Sequence, residues 1–264
     1  MMRALWTAST GMMAQQLNVD TISNNIANVN SIGYKKTRIE FKDLLYETME
    51  RGMVKDGQGK PVNLQVGHGV KVSATTKFFT QGNLDMTSNP YDLAIDGPGF
   101  FTIVGPNGEE MYTKDGSFKI SVDGENMKLV TAEGYFVQGT NGDIDLGSNV
   151  KDVIIDESGL ITVRRTDDTL EEIGSLSIAT FVNPAGLESV GKNLYKTSLA
   201  SGEAFDTAED GSGGGVLQGY LESSNVQVVE EMVKLIQAQR AYEINSKSIQ
   251  TADEMLGMAN SLRR

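Results

Sequence analysis

The sequence has no cysteine, a single histidine (His68), a single tryptophan (Trp6) and five prolines in 264 residues. Without thiols there is neither a disulfide framework nor a thiolate nucleophile, and one imidazole cannot build a histidine-rich metal site. No apolar run approaches the roughly 18 to 20 residues that a bilayer span requires. The opening MMRALWTASTGMMAQQ offers one arginine and a short apolar pair, but Thr7, Ser9 and Thr10 follow at once, so the apolar centre of a cleaved secretory signal is missing. The expectation is a chain that stays in the cytoplasm or leaves it by a route that needs no cleaved signal.

Catalytic signatures are equally scarce. GPGFFT holds a fragment of GxGxxG but lacks the third glycine and follows a strand without opening a helix, so it reads as a turn. GxSxG, GxxxxGK[ST] and HExxH are absent. The aspartates of SVDGEN and TNGDID lack the carboxylate ladder and closing glutamate of a calcium loop. His68, between two glycines, reads as a loop residue, Asp167-Asp168 and Glu171-Glu172 as a solvated face, and Phe100-Phe101 as core rather than a ligand pocket. The sequence therefore predicts no enzyme, no cofactor and no metal.

What the chain does have is two long periodic ends. From the start, Leu5, Ala8, Met12, Val19, Ile22, Ile26 and Val29 recur in steps of three and four, with Gln15 as the one polar member. At the other end, Leu235, Ala238, Tyr242, Ile249, Ala252, Leu256 and Ala259 do the same, broken only by Asn245. Both are helical seams. A second row on the C-terminal helix, through Ala241, Ile244, Ser248, Thr251, Met255, Met258 and Leu262, gives it two adjacent contact stripes, so it needs more than one neighbour. Ser223, Ser224 or Asn225 is the expected N-cap, and Glu230 and Glu231 sit where carboxylates suit the helix dipole.

Between the helices the texture changes. Tyr34 to Glu47 reads as a basic, then amphipathic connector, and residues 48–69, with five glycines, as an extended segment or loop. From Val70 to about residue 200, short alternating runs are separated by turns at Asp96-Gly97, Asn107-Gly108, Asp115-Gly116, Asp123-Gly124, Asn141-Gly142 and Glu157-Ser158-Gly159. The expected fold is α+β: paired long, coiled-coil-like N- and C-terminal helices with a central all-β domain. Its segments are a helix in 1–33, a connector and extended segment in 34–69, a β-rich domain in 70–223 and a helix in 224–264. The formal charge of −12 is uneven: residues 1–45 hold five basic and three acidic side chains, residues 224–264 five of each, and residues 46–223 hold 13 against 27. Near-neutral ends suit packing against copies of themselves, whereas an acidic middle suits solvent and disfavours nucleic acid, or simply confers solubility.

Three stretches resemble a known family. LNVDTISNNIANVNSIGYKK is similar to the N-terminal signature of the bacterial flagellar rod and hook axial proteins, LAIDGPGFF with YTKDGSF to their β-domain signature, and QGYLESSNVQVVEEMVKLIQAQRAYEINSKSIQTADEML to their C-terminal one. The likeness covers essentially the whole chain and is closest to the distal rod branch, through the opening MMRALWTASTGM, TFVNPAGLESVGKNLY and the added segment near residues 46–63. The alternatives are another rod or hook member, or, from a different class, a β-domain enzyme or binding module with a terminal coiled coil.

The resemblance implies a structural subunit that forms a helical tubular drive shaft across the periplasm and transmits torque from motor to hook. It implies export by the flagellar type III apparatus without a cleaved signal. The implied partners are further copies of the chain, proximal rod proteins, the hook protein and the rings around the rod, with no nucleic acid and no membrane span. Self-assembly would then rest on Leu5, Met12, Val19, Ile22 and Ile26 in the first seam and Leu235, Tyr242, Ile249 and Leu256 in the second. Asn24, Asn25 and Asn28 fall on the family motif, either touching another subunit or capping their own helix. Rod-like members carry a segment matching residues 46–63 that hook members lack. A straight rod thus suggests a stiffening arm anchored by Leu44, Leu45, Tyr46 and Met49, with Met53, Val54, Val62 and Leu64 as further contacts. The alternative is a plain linker.

Overall fold

The computed structural model describes residues 2–50, 54–55, 58–59, 63–105, 108–123, 126–140, 142–148, 150–206 and 214–261. It has a mostly β central region between two helices, α1 (Met2–Ala27) and α2 (Val228–Ser261). The chain forms two compact units, one of residues 1–27, 37–76 and 227–264, the other of residues 28–36 and 77–226. Residues 70–76, expected in the β-rich domain, therefore fall in the unit that holds the helices.

In the first unit α1 and α2 pack antiparallel: Gly11 lies against Asn245, and Asn25 donates to Glu231 Oε2 at 3.2 Å. At 1.5 Å per residue α1 is about 39 Å long and α2 about 51 Å. After α1 the chain turns through Asn28–Ser31, where the Ser31 N–H bonds the Asn28 carbonyl, and then forms a long antiparallel ribbon. Its strands are β1 (Thr37–Asp43), β2 (Tyr46–Glu50), β3 (Val54–Lys55), β4 (Gln58–Gly59), β5 (Leu64–Gly67) and β6 (Val70–Lys77). The pairs nest, β1 with β6, β2 with β5 and β3 with β4, so the ribbon is a single hairpin that reverses between Lys55 and Gln58.

In the second unit the main antiparallel sheet runs in the order Lys119–Asp123, Asn126–Val130, Phe136–Gly139, Phe100–Val104, Glu110–Thr113, Leu194–Lys196 and Glu188–Gly191. A three-stranded sheet of Val150–Ile155, Leu160–Arg165 and Leu170–Ser175 stands beside it. Its larger core gathers Leu93, Ile103, Phe118, Leu146, Val163 and Leu176. Successive side chains of a strand point to opposite faces. Phe101 accordingly enters that core, while Phe100 enters a second, aromatic one with Tyr112, Phe181 and Tyr195, so both phenylalanines are structural.

This unit is closed by a buried ion cluster that joins its first segment to its last. The Lys35 ammonium donates to Glu222 Oε1 and, at 2.9 Å, to the Thr80 carbonyl, while Gly82 N–H donates to the same carboxylate oxygen at 2.8 Å. Lys114 donates to the Gly97 carbonyl at 2.7 Å and stands 3.8 Å from Glu222 Oε2, the one buried side-chain polar atom left without a hydrogen bond among the described residues. Burial, opposed by Glu222 and reinforced by the Lys35 charge, lowers the Lys114 pKa from 10.5 to about 8. Asn225, expected as a helix cap, instead ties two loops of this unit together. It accepts the Lys36 N–H at 2.8 Å and donates to the Phe78 carbonyl at 2.8 Å. Helix α2 begins further on, at Val228, and its first turn is formed by the Glu231 N–H bonding the Gln227 carbonyl.

Candidate functional site: the helix hairpin and its ribbon

At about 100° per residue, α1 divides into three faces. The expected seam faces α2: Ala8 and Ile22 are buried, and Leu5, Met12, Val19 and Ile26 half-buried. On α2, Ala238 and Ala252 are buried and Leu235, Ile249 and Leu256 half-buried, while Tyr242 remains 41% exposed. Tyr242 and Val19 share a groove of about 510 Å³ with Gln16, Gln239 and Glu243, so the middle of the hairpin is incompletely filled. Both seams are thus partly covered within one chain. Asn245, the polar break in its seam, lies over Gly11, where a Cβ would stand 2.9 Å from its Nδ2.

The second face of α1 holds the ribbon, and here small and polar residues do the packing. Asn25 Oδ1 accepts the Thr37 N–H at 3.0 Å and Asn25 Nδ2 donates to the Thr37 carbonyl at 2.8 Å, which fixes the start of β1 beside the end of α1. Further along, Gly69 takes φ +109 against Thr7 and Thr10, and Leu44 N–H donates to the Gly69 carbonyl at 2.9 Å. Arg3 then pairs with Glu47. The ribbon therefore runs back along α1 from Asn25 to Arg3. Within one copy, Asn25 ties the ribbon, and Asn28 accepts the Ser31 hydroxyl at 3.1 Å. Asn24 is exposed.

The third face of α1 is apolar and exposed, with Met2, Trp6, Met13 and Leu17. Helix α2 has a matching outer face of Val229, Val233, Ile236, Ile244, Met255 and Met258. On the ribbon Leu45, Tyr46, Met49 and Leu64 are also exposed, and Val54 lies in β3; Met53 and Val62 lie outside the described residues. Leu44 is half-buried. Large apolar groups at this density along two helices and a ribbon mark surfaces meant for protein contact. The outer row of α1 is no part of the expected seam, although Met2, Trp6, Met13 and Leu17 fall in steps of four and seven that the sequence carries openly.

Nothing in this arrangement gathers chemistry. Among the described residues no three histidine, cysteine, aspartate or glutamate side chains cluster as a metal site, and no helix is long and apolar enough to cross a membrane.

The matches to known families cover both helices and part of the β-rich unit. Residues 5–35 match the family described as flagella basal body rod protein, residues 94–163 the flagellar hook protein FlgE/F/G D1 domain, and residues 217–262 the flagellar basal body rod FlgEFG protein C-terminal. A flagellar basal-body rod protein FlgG from Borreliella burgdorferi is 48% identical over 268 residues, covering 100% of both chains. Counterparts of the same name from Caulobacter vibrioides and Buchnera aphidicola are 45% and 44% identical, each over 99% of this chain and 100% of their own. A solved Helicobacter pylori flagellar hook protein, FlgE2, covers 64% of this chain at 18% identity with a TM-score of 0.25, too slight a likeness to bear on the fold.

Proposed function

Because the chain belongs to the FlgG-type flagellar basal-body rod proteins, a structural and not an enzymatic family, we propose that it builds the distal rod by using the two sides of its helix hairpin for different contacts. The seams, through Leu5, Met12, Val19, Ile22, Ile26, Leu235, Tyr242, Ile249 and Leu256, hold α1 and α2 together as a coiled-coil-like pair within each copy. The outer rows then meet further copies in a helical tube. The observation that carries this reading is the exposed apolar row on each helix, opposite a row already used.

In this reading the near-neutral helices supply the contacts between copies, and the acidic β-rich unit suits solvent. The tube follows the proximal rod proteins, precedes the hook protein, turns inside the surrounding rings and carries torque across the periplasm. Export by the flagellar type III apparatus without a cleaved signal supplies its subunits.

The test is a pair of aspartate substitutions. Ile244→Asp places a charge on an outer row, is accommodated by water in the monomer, and abolishes assembly, because an unpartnered buried charge costs several kcal/mol at every contact. Ile249→Asp strikes the seam and unfolds the hairpin before assembly is attempted. Normal rods from Ile244→Asp would remove the outer row from the interface.

The ribbon supplies the second element of the reading. Residues 46–63 act as an arm that lies on neighbouring copies through Tyr46, Met49, Met53, Val54, Val62 and Leu64 and prevents their sliding. Deleting 46–63 yields assembled but curved rods in electron micrographs of purified basal bodies. Straight rods of normal stiffness would reduce the segment to a linker.

A further inference from the structure

The face of the main sheet that carries the aromatic core also holds a polar hollow of about 290 Å³. Thr102 and Tyr112 stand opposite one another on neighbouring strands, and the Ser177 carbonyl accepts the Thr102 N–H at 3.2 Å. These three side chains line the hollow and are 5%, 4% and 9% exposed, whereas Glu110 and Asp206, which also line it, are exposed. Two carboxylates alone would be a solvated edge; the buried hydroxyls between them are what build a site.

The hydroxyl protons can be traced. Ser177 Oγ lies 2.9 Å from Asp206 Oδ2 and 3.2 Å from Thr102 Oγ1, and it has one proton to give. The carboxylate is the nearer and stronger acceptor, so Ser177 donates to Asp206 and the Thr102 hydroxyl donates to Ser177. Tyr112 directs its proton to Glu110 Oε2 at 3.4 Å, and Thr140, also in the lining, gives its own to the Ser175 carbonyl at 3.2 Å. Burial, then the charge and hydrogen bond of Glu110, then the charge of Asp206 push the Tyr112 pKa up to about 12, so the fields of both carboxylates reach one phenol. Four hydroxyls thus have only lone pairs left to offer. Among the described residues the Gln138 amide is the one other side-chain donor in the lining, and no lysine, arginine or histidine contributes to it.

We propose that this hollow is a binding site for a primary ammonium group on a short alkyl chain. Three N–H donors on one positive centre answer a lining rich in acceptors and twice negative, whereas a polyol needs donors as well as acceptors around it. The volume lies at the lower end for small-molecule pockets, roughly 300 Å³ and upward, so it holds one such group and not an extended chain. A free amine and a lysine side chain of a neighbouring copy both carry this group. The site lies within the β-rich unit and is independent of how the helices are used in assembly.

The experiment titrates full-length, nitrogen-15-labelled monomer with n-butylammonium at constant ionic strength and follows the Gln138 side-chain amide and the Ser177 and Asp206 backbone amides by NMR. Butylammonium is expected to shift these signals. It should bind at least tenfold more tightly than n-butanol, which has the chain without the charge, or tetramethylammonium, which has the charge without an N–H. Glu110→Gln combined with Asp206→Asn, both at exposed positions, is expected to weaken binding at least tenfold while signals away from the hollow stay in place. No shift with butylammonium, or equal binding of either control, would overturn the proposal. So would undiminished binding by the folded double variant; should that variant lose its fold, the comparison of probes on the unaltered chain decides. In assembled material, carbodiimide coupling of Glu110 or Asp206 to a lysine of another copy would support the site with a neighbour as the source, and butylammonium binding without such coupling would support it with a free amine. Failure of the proposal leaves the rod reading intact.

Discussion

Asn25 holds Thr37 by both of its backbone polar groups, giving β1 the hydrogen bonds that a neighbouring strand would give, from a side chain that is itself buried in the helix hairpin. One residue thus sets where the ribbon starts, and through its bond to Glu231 it also joins α2 to that point. Asn25→Ala leaves two backbone groups without this partner. It is expected to destabilise the helical unit by about 2–3 kcal/mol, on the scale of lost buried hydrogen bonds. Chemical denaturation measures this, and hydrogen exchange at the Thr37 amide should rise with it. Asn25→Asp should be at least as damaging at neutral pH, since it sets a second carboxylate against Glu231.

Gly69 sits in the left-handed region, and a Cβ there would overlap the Thr10 hydroxyl. Gly69→Ala is therefore expected to cost about 2 kcal/mol or more, combining backbone strain with the clash. Thr10→Ala in the same chain removes the clash but not the strain. A double-mutant cycle should then recover roughly half of the loss, and additive single effects would show that the ribbon does not rest on α1 at this point.

At the Gly11 crossing two effects oppose one another. Alanine in a helix interior gains roughly 1 kcal/mol over glycine, but its Cβ would stand 2.9 Å from Asn245 Nδ2. Gly11→Ala alone is expected to be nearly neutral. Made in an Asn245→Ala background, it should give the full gain of about 1 kcal/mol, as read from thermal unfolding. An equal gain in both backgrounds would mean that Asn245 does not press on Gly11.

Lys114 supplies a pH dependence with a definite sign. Its pKa is lowered in the folded chain to about 8 from 10.5. Between those values the unfolded chain binds more protons, so stability rises with pH from about 8 to about 10.5, and the penalty for holding this ammonium is fully present below 8. Lys114→Met should flatten that rise in denaturation midpoints measured across the window. Lys35→Met, by contrast, removes the lysine paired directly with the buried Glu222 carboxylate and should cost about 3–5 kcal/mol at neutral pH.

The parts of the molecule legible in the sequence are those whose signal is periodic or local. Leu5 to Ile26 and Leu235 to Ala259 repeat at helical spacing because each row covers one side, and Glu157-Ser158-Gly159 falls where strands reverse, between Ile155 and Leu160. The ribbon is harder to read. Strands such as Thr37–Asp43 and Leu64–Gly67 bury little, so the alternation that betrays a half-buried strand is missing, and glycine-rich polar sequence resembles a loop. The packing of α1 on the ribbon is hidden for a related reason: Arg3, Thr7, Thr10 and Asn25 form a row that hydropathy does not register. Asn225 has the composition of a cap, whereas its hydrogen bonds go to Lys36 and Phe78, far off in sequence.

The Lys35–Glu222 closure spans 187 positions of the chain. Closing a loop of that length costs about 4–5 kcal/mol in chain entropy, and an ammonium buried before its carboxylate arrives is prohibitively costly. A chain that emerges from its N-terminus onward therefore cannot complete the β-rich unit until residue 222 has appeared, shortly before α2 begins at Val228. The order of folding is in this way written by topology: early strands remain unlocked for most of the chain's emergence, and the last helix becomes available almost as soon as the lock has formed. A subunit of this design folds late and nearly all at once, which gives it slow, high-contact-order kinetics and a short interval between finished fold and exposed helix.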